Sequence, residues 1–265
     1  MRSYVAIGLS FVAFGAAPVL FSGPVRAFGS LGHRVAGLVA EAHLCEAAQT
    51  RVARLGAGDG LDRLGLWADR IRDTDDYAHT GPWHYLNIDD GGSLARYTTP
   101  ADGDVLWAIE NFRAVLADGA GSISAQREAL RFLAHFVVDV HQPLHVGRAA
   151  DRGGNSIEVS FGRERSNLHR FWDTDAIDLD AGSAKQRAER LLSRIAAEAW
   201  SAGQGGAISW ATESLNLRFY VYDFDARRGR LTQQYVDRAR RITSERLGMA
   251  GLRLAATLNS LYCSD

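Results

Sequence analysis

Cysteine is nearly absent from this sequence: Cys45 and Cys263 are the only two in 265 residues. Two isolated cysteines so far apart exclude a zinc ribbon. In an exported chain such a pair predicts one disulfide, tying the first helix to the carboxyl end, with two buried free thiols as the alternative. Closing so long a loop is worth roughly 4–5 kcal/mol in the chain-entropy model. Proline is scarce too. Beyond residue 27 there are only Pro82, Pro100 and Pro143, so little interrupts helical runs. Positive charge is not in excess, the formal net charge being −1. A protein that grips nucleic acid through its own field is normally basic. If phosphate is the target here, the positive charge must come mainly from bound ions. Repeats, low-complexity tracts and linkers are missing as well, which leaves one domain as the simplest organisation.

The first 27 residues stand apart. MRSY is followed by the apolar run VAIGLSFVAFGAAPVLF and then by SGPVRA, which sets small residues Val25 and Ala27 where a signal peptidase reads. Residues 1–27 therefore read as a secretory signal peptide cleaved after Ala27, and residues 28–265 as the mature domain, secreted or periplasmic. An uncleaved anchor is the alternative. The signal carries two arginines and no acid, so the mature charge is −3. No later segment is long and apolar enough to span a bilayer, and no membrane association is expected after processing.

What the chain does have is helical periodicity. HRVAGLVAEAHLCEAA, DVLWAIENFRAVLADG, SAQREALRFLAHFVVDVHQ, AKQRAERLLSRIAAEAW and the long carboxyl-terminal run from Arg230 to Tyr262 repeat apolar residues at three- and four-residue spacing. Ser124 is a candidate helix cap. NSIEVSFGR is the clearest strand, half of a small hairpin, and GAGDG, DDGGS and ADRGG read as loops. The expected fold is mainly α, a single helical domain with a small β-hairpin.

The chemistry concentrates in HFVVDVHQPLH, residues 135 to 145. His135 and Asp139 are four apart and share a helix face. Pro143 ends or kinks that helix, and His145 follows where the chain can turn back. NLHRFWD repeats the spacing with His169 and Asp173. Upstream, WADRIRD offers Asp69 and WHYLN offers His84, and tryptophans adjoin three of these polar groups. Taken singly, each is an ordinary core histidine or capping aspartate. Together, so many imidazoles and carboxylates in apolar surroundings are too costly to bury without a purpose, and ion binding supplies one.

With these residues in view, the chain resembles the type I nucleases, the zinc-dependent, single-strand-preferring nucleases and 3′-nucleotidases of fungi, plants and bacteria. FGSLGH, LWADRIR, GPWHYLNI, FLAHFVVDVHQPLHVG, DRGGN, NLHRFWD, WATES and RLAATLN carry the resemblance across essentially all of the mature chain. It implies the helical fold shared with zinc-dependent phospholipase C and a cluster of three Zn2+ ions. Asp69, His84, His135 and Asp139 would hold one ion, and His145, His169 and Asp173 a second. His33, Asp139 and the amino nitrogen and carbonyl oxygen of Phe28 would hold the third, with Asp139 bridging. The family usually starts with Trp where this chain has Phe28; the chelating atoms are backbone atoms, but they require a free amine and hence cleavage.

The same resemblance implies catalytic roles for Asp139 and for Arg72, a cation near the scissile phosphate. Tyr85 would stack a base, Asn87 stands where several members have a base-contacting Asp, and Asn155 matches a substrate contact. Core packing is the plain reading of Tyr85, a turn role that of Asn155, and a solvent-facing helix position that of Arg72. His43 on the first helix, His79 in a loop and His141 fall outside the ligand set, His141 being read as behind the ligands or at the surface. The implied activity is endonucleolytic hydrolysis of single-stranded DNA and RNA to 5′-phosphorylated products, together with action on 3′-nucleotides. No protein partner is expected. The alternatives are a zinc-dependent phospholipase C, disfavoured because its last ligand is usually Glu rather than Asp173, and a non-catalytic protein stabilised by structural zinc.

Overall fold

The computed structural model describes residues 28–203 and 205–263, so the expected signal peptide lies outside the described residues. Eleven helices are described: α1 (Gly29–Glu41), α2 (Glu46–Gly56), α3 (Leu61–Leu64), α4 (Trp67–Ile71), α5 (Val105–Asp118), α6 (Ile123–Asp139), α7 (Leu168–Arg170), α8 (Ala176–Asp178), α9 (Ala184–Ala197), α10 (Ala207–Val221) and α11 (Gln233–Tyr262). Four short strands accompany them. β1 (Leu86–Asn87) pairs in parallel with β2 (Val146–Gly147), and β3 (Glu158–Phe161) forms an antiparallel hairpin with β4 (Glu164–Asn167). The mainly α fold with a small hairpin is as the sequence predicts.

Local chemistry sets the helix ends. Asp104 accepts from the Trp107 amide to start α5, Thr232 from the Tyr235 amide to start α11, and Ser183 with Gln186 forms a capping box on α9. The cap of α6 is Ser122, not Ser124: the Ser122 hydroxyl accepts from the Ala125 amide and the helix starts one residue later. The periodic run 33–48 is not one helix. It breaks between Glu41 and Glu46, and the Cys45 sulfur caps the second piece. Helix α10 escapes the sequence reading because its buried positions, Trp210, Ala211, Ser214, Arg218 and Val221 among them, keep helical spacing but include polar groups. The stripe is periodic in burial and broken in hydrophobicity.

Helix α6 is the centre of the molecule. It packs against α5, α2, α3, α4 and α11, and residues 132 to 147 are buried without exception. Phe132 lies between Phe112 and Phe136, with ring centroids 4.6 and 5.4 Å away. Helix α11 lies along α1, where Gly251 allows close approach: a Cβ there would stand 2.6 Å from Val39 Cγ1. Cys45 and Cys263 are joined as a disulfide, with Cα atoms 6.5 Å apart. The bond clasps the end of α11 to the turn between α1 and α2 rather than to the first helix itself. Among the described residues no helix is long and apolar enough to cross a membrane.

Candidate metal centre

Seven local structures deliver the expected ligands. His33 comes from α1 and Asp69 from α4. His84 closes the 3-10 helix Ala78–His84, and His135 and Asp139 lie one turn apart on α6. Pro143 at the start of a 3-10 turn directs His145 back toward α6. His169 sits on α7, and Asp173 lies in the π-helical turn Phe171–Asp175, the kind of widened turn that re-aims a side chain at a site. His33, His84, His135, Asp139, His145, His169 and Asp173 are each no more than 4% exposed.

Asp139 is the hub. Its Oδ2 lies 3.0 Å from His84 Nδ1 and 3.2 Å from His135 Nε2, and its Oδ1 lies 3.3 Å from His33 Nε2. His135 Nε2 also lies 3.0 Å from His84 Nδ1 and 3.9 Å from Asp69 Oδ1. In the adjoining cluster His169 Nε2 is 2.9 Å and His145 Nε2 3.9 Å from Asp173. Among the described residues the groups of side chains able to hold an ion are therefore three: His33, His135 and Asp139; Asp69, His84 and His135; His145, His169 and Asp173.

Whether these residues suit a metal can be tested on hydrogen bonding. Seven side-chain atoms at the centre are buried without a hydrogen-bond partner: both ring nitrogens of His33, Asp69 Oδ1, His84 Nε2, Asp139 Oδ1, His145 Nε2 and His169 Nε2. Buried polar atoms are rarely left so, and seven at one place is the pattern of a donor set for cations. Outer contacts aim them. The Nδ1 atoms of His135, His145 and His169 reach the carbonyls of Gly65, His84 and Gly153 at 2.6, 2.6 and 2.7 Å, which turns each Nε2 inward. Gly153 must be glycine: its φ is +61°, and a Cβ would come within 2.8 Å of the Leu144 carbonyl.

Charge balance differs among the imidazoles. Burial drives the pKa of His84 down to about 4 despite Asp139. Burial opposes charge on His135 as well, but Asp139 and Asp69 outweigh it and push that pKa up to about 9. Burial lowers His145, whereas at His169 it is overcome by Asp173. Burial also works against the charge on Asp139, yet the imidazoles around it, His135 foremost, hold its carboxyl well below the usual range.

The remaining expectations fall out unevenly. Phe28 is fully buried, with φ 41°, and its backbone nitrogen lies 3.3 Å from Asp173 Oδ1. Its backbone thus reaches the centre beside Asp173. Arg72 is held against Asp69, Nη1 to Oδ1 3.4 Å, with its side chain 11% exposed, so it is no free surface arginine. Along β1 the chain alternates: His84, Leu86 and Ile88 face in, Tyr85 and Asn87 face out. Tyr85 is 42% exposed beside ligand position His84, free to meet a ring from outside. Asn155 spends its Nδ2 on the Arg152 carbonyl at 2.8 Å, a turn role. His43 lies just past the end of α1 and is exposed, and His79 is exposed in the 3-10 helix rather than in a loop.

His141 is neither ligand nor surface residue. It is fully buried, its Nδ1 donating to the Val137 carbonyl at 2.6 Å and its Nε2 accepting from Arg253 Nη1 at 2.9 Å. Burial, with Arg246 and Arg253 nearby, keeps it neutral. Arg246 Nε donates to the His141 carbonyl at 3.0 Å, and Glu213 bridges both arginines. Gln142 donates to Asp173 from the same turn. Sequence reasoning missed this brace. WATES and RLAATLN contain Glu213 and Arg253, yet nothing in a helical run says that a charged residue faces inward.

The S1/P1 nuclease family matches the chain over residues 28–263. Endonuclease 2 of Arabidopsis thaliana is 31% identical over 284 residues, covering 92% of this chain and 94% of its own. Nuclease S1 of Aspergillus oryzae is 27% identical, covering 88% and 91%. Nuclease P1 of Penicillium citrinum is 33% identical over 155 residues, covering 56% and 57%.

Proposed function

The chain belongs to the S1/P1 nuclease family, whose relatives are phosphodiester hydrolases acting on nucleic acid, and we propose that it is an exported nuclease with three zinc ions that prefers single strands and also acts on 3′-nucleotides. The observation that carries the metal reading is the set of seven buried, unpartnered donor atoms in three adjoining groups. Asp69, His84, His135 and Asp139 would hold one ion, His145, His169 and Asp173 another, and His33, Asp139 and the backbone of Phe28 the third. Zinc, when bound, lowers the pKa of a coordinated water to about 7 and offsets negative charge on phosphoryl oxygens.

The chain's own residues do the rest. Asp139, held ionised by its imidazoles, orients His33, His84 and His135. Arg72, braced by Asp69, presents a fixed guanidinium to a phosphate oxygen. Tyr85 offers an outward ring to a base already unstacked, which a paired base cannot use; single-strand preference follows. Three divalent ions against three carboxylates leave a positive centre on a chain that is itself slightly acidic, as a polyanionic substrate requires. Removal of residues 1–27 would free the Phe28 amine, making export and completion of the site one event.

The test is to incubate one processed preparation with single- and double-stranded DNA, RNA and 3′-AMP, before and after chelation. Single strands should be cut to 5′-phosphorylated products, duplex much more slowly, and chelated enzyme should be inactive until zinc is restored. A protein with full zinc that releases nothing from single-stranded DNA or RNA would overturn the reading.

A further inference from the structure

Away from the ligand centre, a cavity of about 350 Å³ opens between α1, α8, α9 and α11, near the lower end of the ~300–1,000 Å³ typical of small-ligand sites. Five arginines line it: Arg187, Arg190, Arg194, Arg240 and Arg241. Only Asp180 and Asp237 stand against them in the same wall, and Val35, Ile177, Leu191 and Leu247 give it an apolar side.

The arginines are not equally engaged. Arg187 closes the chain after α8, donating to the carbonyls of Ile177, Asp180 and Gly182. Arg240 pairs with Asp180 and lies 3.7 Å from Asp237, and Arg194 pairs with Glu198 and Glu245. Arg190 donates only to the Ala181 carbonyl, and Arg241 has no hydrogen bond or ion pair among the described residues. Among the described residues three guanidinium groups are thus without a carboxylate, those of Arg187, Arg190 and Arg241, and of these only Arg187 is saturated by carbonyls.

Two further donors in this wall are buried and unpartnered, Arg240 Nε and the Thr243 hydroxyl, and Thr243 is 2% exposed. A helical threonine ordinarily returns its hydroxyl to the carbonyl four residues back. Thr212 and Thr257 do so here, at 2.8 and 2.7 Å, and Thr243 does not. A buried hydroxyl left without a partner beside unneutralised guanidinium groups is what an anion site looks like before its anion.

We propose that this cavity binds a small phosphate-bearing anion through Arg240, Arg241 and Thr243, with Arg190 at the rim. Guanidinium forks suit phosphate oxygens, and more than one uncompensated positive charge suits a dianion better than a carboxylate. The phosphate could be free or carried on a nucleotide, whose sugar or base the apolar side would then cover. None of the lining residues belongs to the proposed ligand set.

Titrating the zinc-loaded, processed protein calorimetrically with inorganic phosphate, 5′-AMP and adenosine tests this. Phosphate also meets the metal centre, so Arg241→Gln and Thr243→Val separate the sites; Arg241 is exposed, and Val preserves the shape of Thr. The expected result is a second phosphate site in the wild type, weakened about tenfold or more in each variant, the worth of one charge-assisted hydrogen bond. Zinc content and the rate on saturating single-stranded DNA should stay unchanged. Tighter 5′-AMP than phosphate identifies a nucleotide site, and equal affinity a site for phosphate alone. The proposal falls if the wild type has one phosphate site, if the variants bind as the wild type does, or if adenosine binds as well as 5′-AMP.

Discussion

Asp139 touches His33, His84 and His135 at once, so no other side chain can be changed with the same effect. Asp139→Asn keeps its size but removes the charge that two cations would share. Elemental analysis should show metal lost from both groups and turnover nearly abolished. His141→Ala, two residues on, should behave differently. It strips Arg253 of a buried acceptor, so thermal unfolding should show a loss of about 1–3 kcal/mol, while zinc content and most of the rate remain. Equal zinc loss in both variants would mean that His141 belongs among the ligands. Residue roles were legible in the sequence in proportion to their spacing. His135 with Asp139, and His169 with Asp173, announce themselves at i, i+4. His33, Asp69 and His84 stand alone on separate elements; a neighbouring tryptophan drew attention to Asp69 and His84, and only the resemblance marked His33. Arg246 and Arg253 could not be seen: a charged residue in a helical run reads as the solvent face, and burial of its guanidinium depends on Glu213 arriving from another helix.

At the scale of elements, the helices that follow an uninterrupted apolar stripe were legible, α5, α6, α9 and α11 among them. The break at Ala42–Cys45, the polar-striped α10 and the π-helical turn were not, because tertiary partners decide each. The entry into α1 makes a testable case. Phe28 is an element end rather than a ligand side chain. If its backbone holds an ion, Phe28→Trp should be active after processing. One extra residue ahead of Phe28 should cost one zinc and most of the rate, with circular dichroism unchanged because the core packs independently of that ion. An extended protein with three zincs and full rate would remove Phe28 from the site.

Across the whole molecule, the clasp between Cys45 and Cys263 closes nearly the full described chain. Replacing both with serine isolates the crosslink, since a serine at 45 can still accept from the Ala48 amide as the cysteine sulfur does. Stability should fall by about 2–5 kcal/mol, read from denaturant midpoints, with zinc content and hydrolysis rate unchanged at low temperature. The same architecture bears on biogenesis. All proposed ligands lie between Phe28 and Asp173, whereas the arginines bracing the HQPLH turn lie on α11 and the second half of the clasp lies just past its end. A chain threaded through a membrane amino end first would thus expose its complete donor set before its buttress and latch have emerged. In a chain exported that way, capture of metal and consolidation of the fold would be separated in time by the order in which the polypeptide arrives.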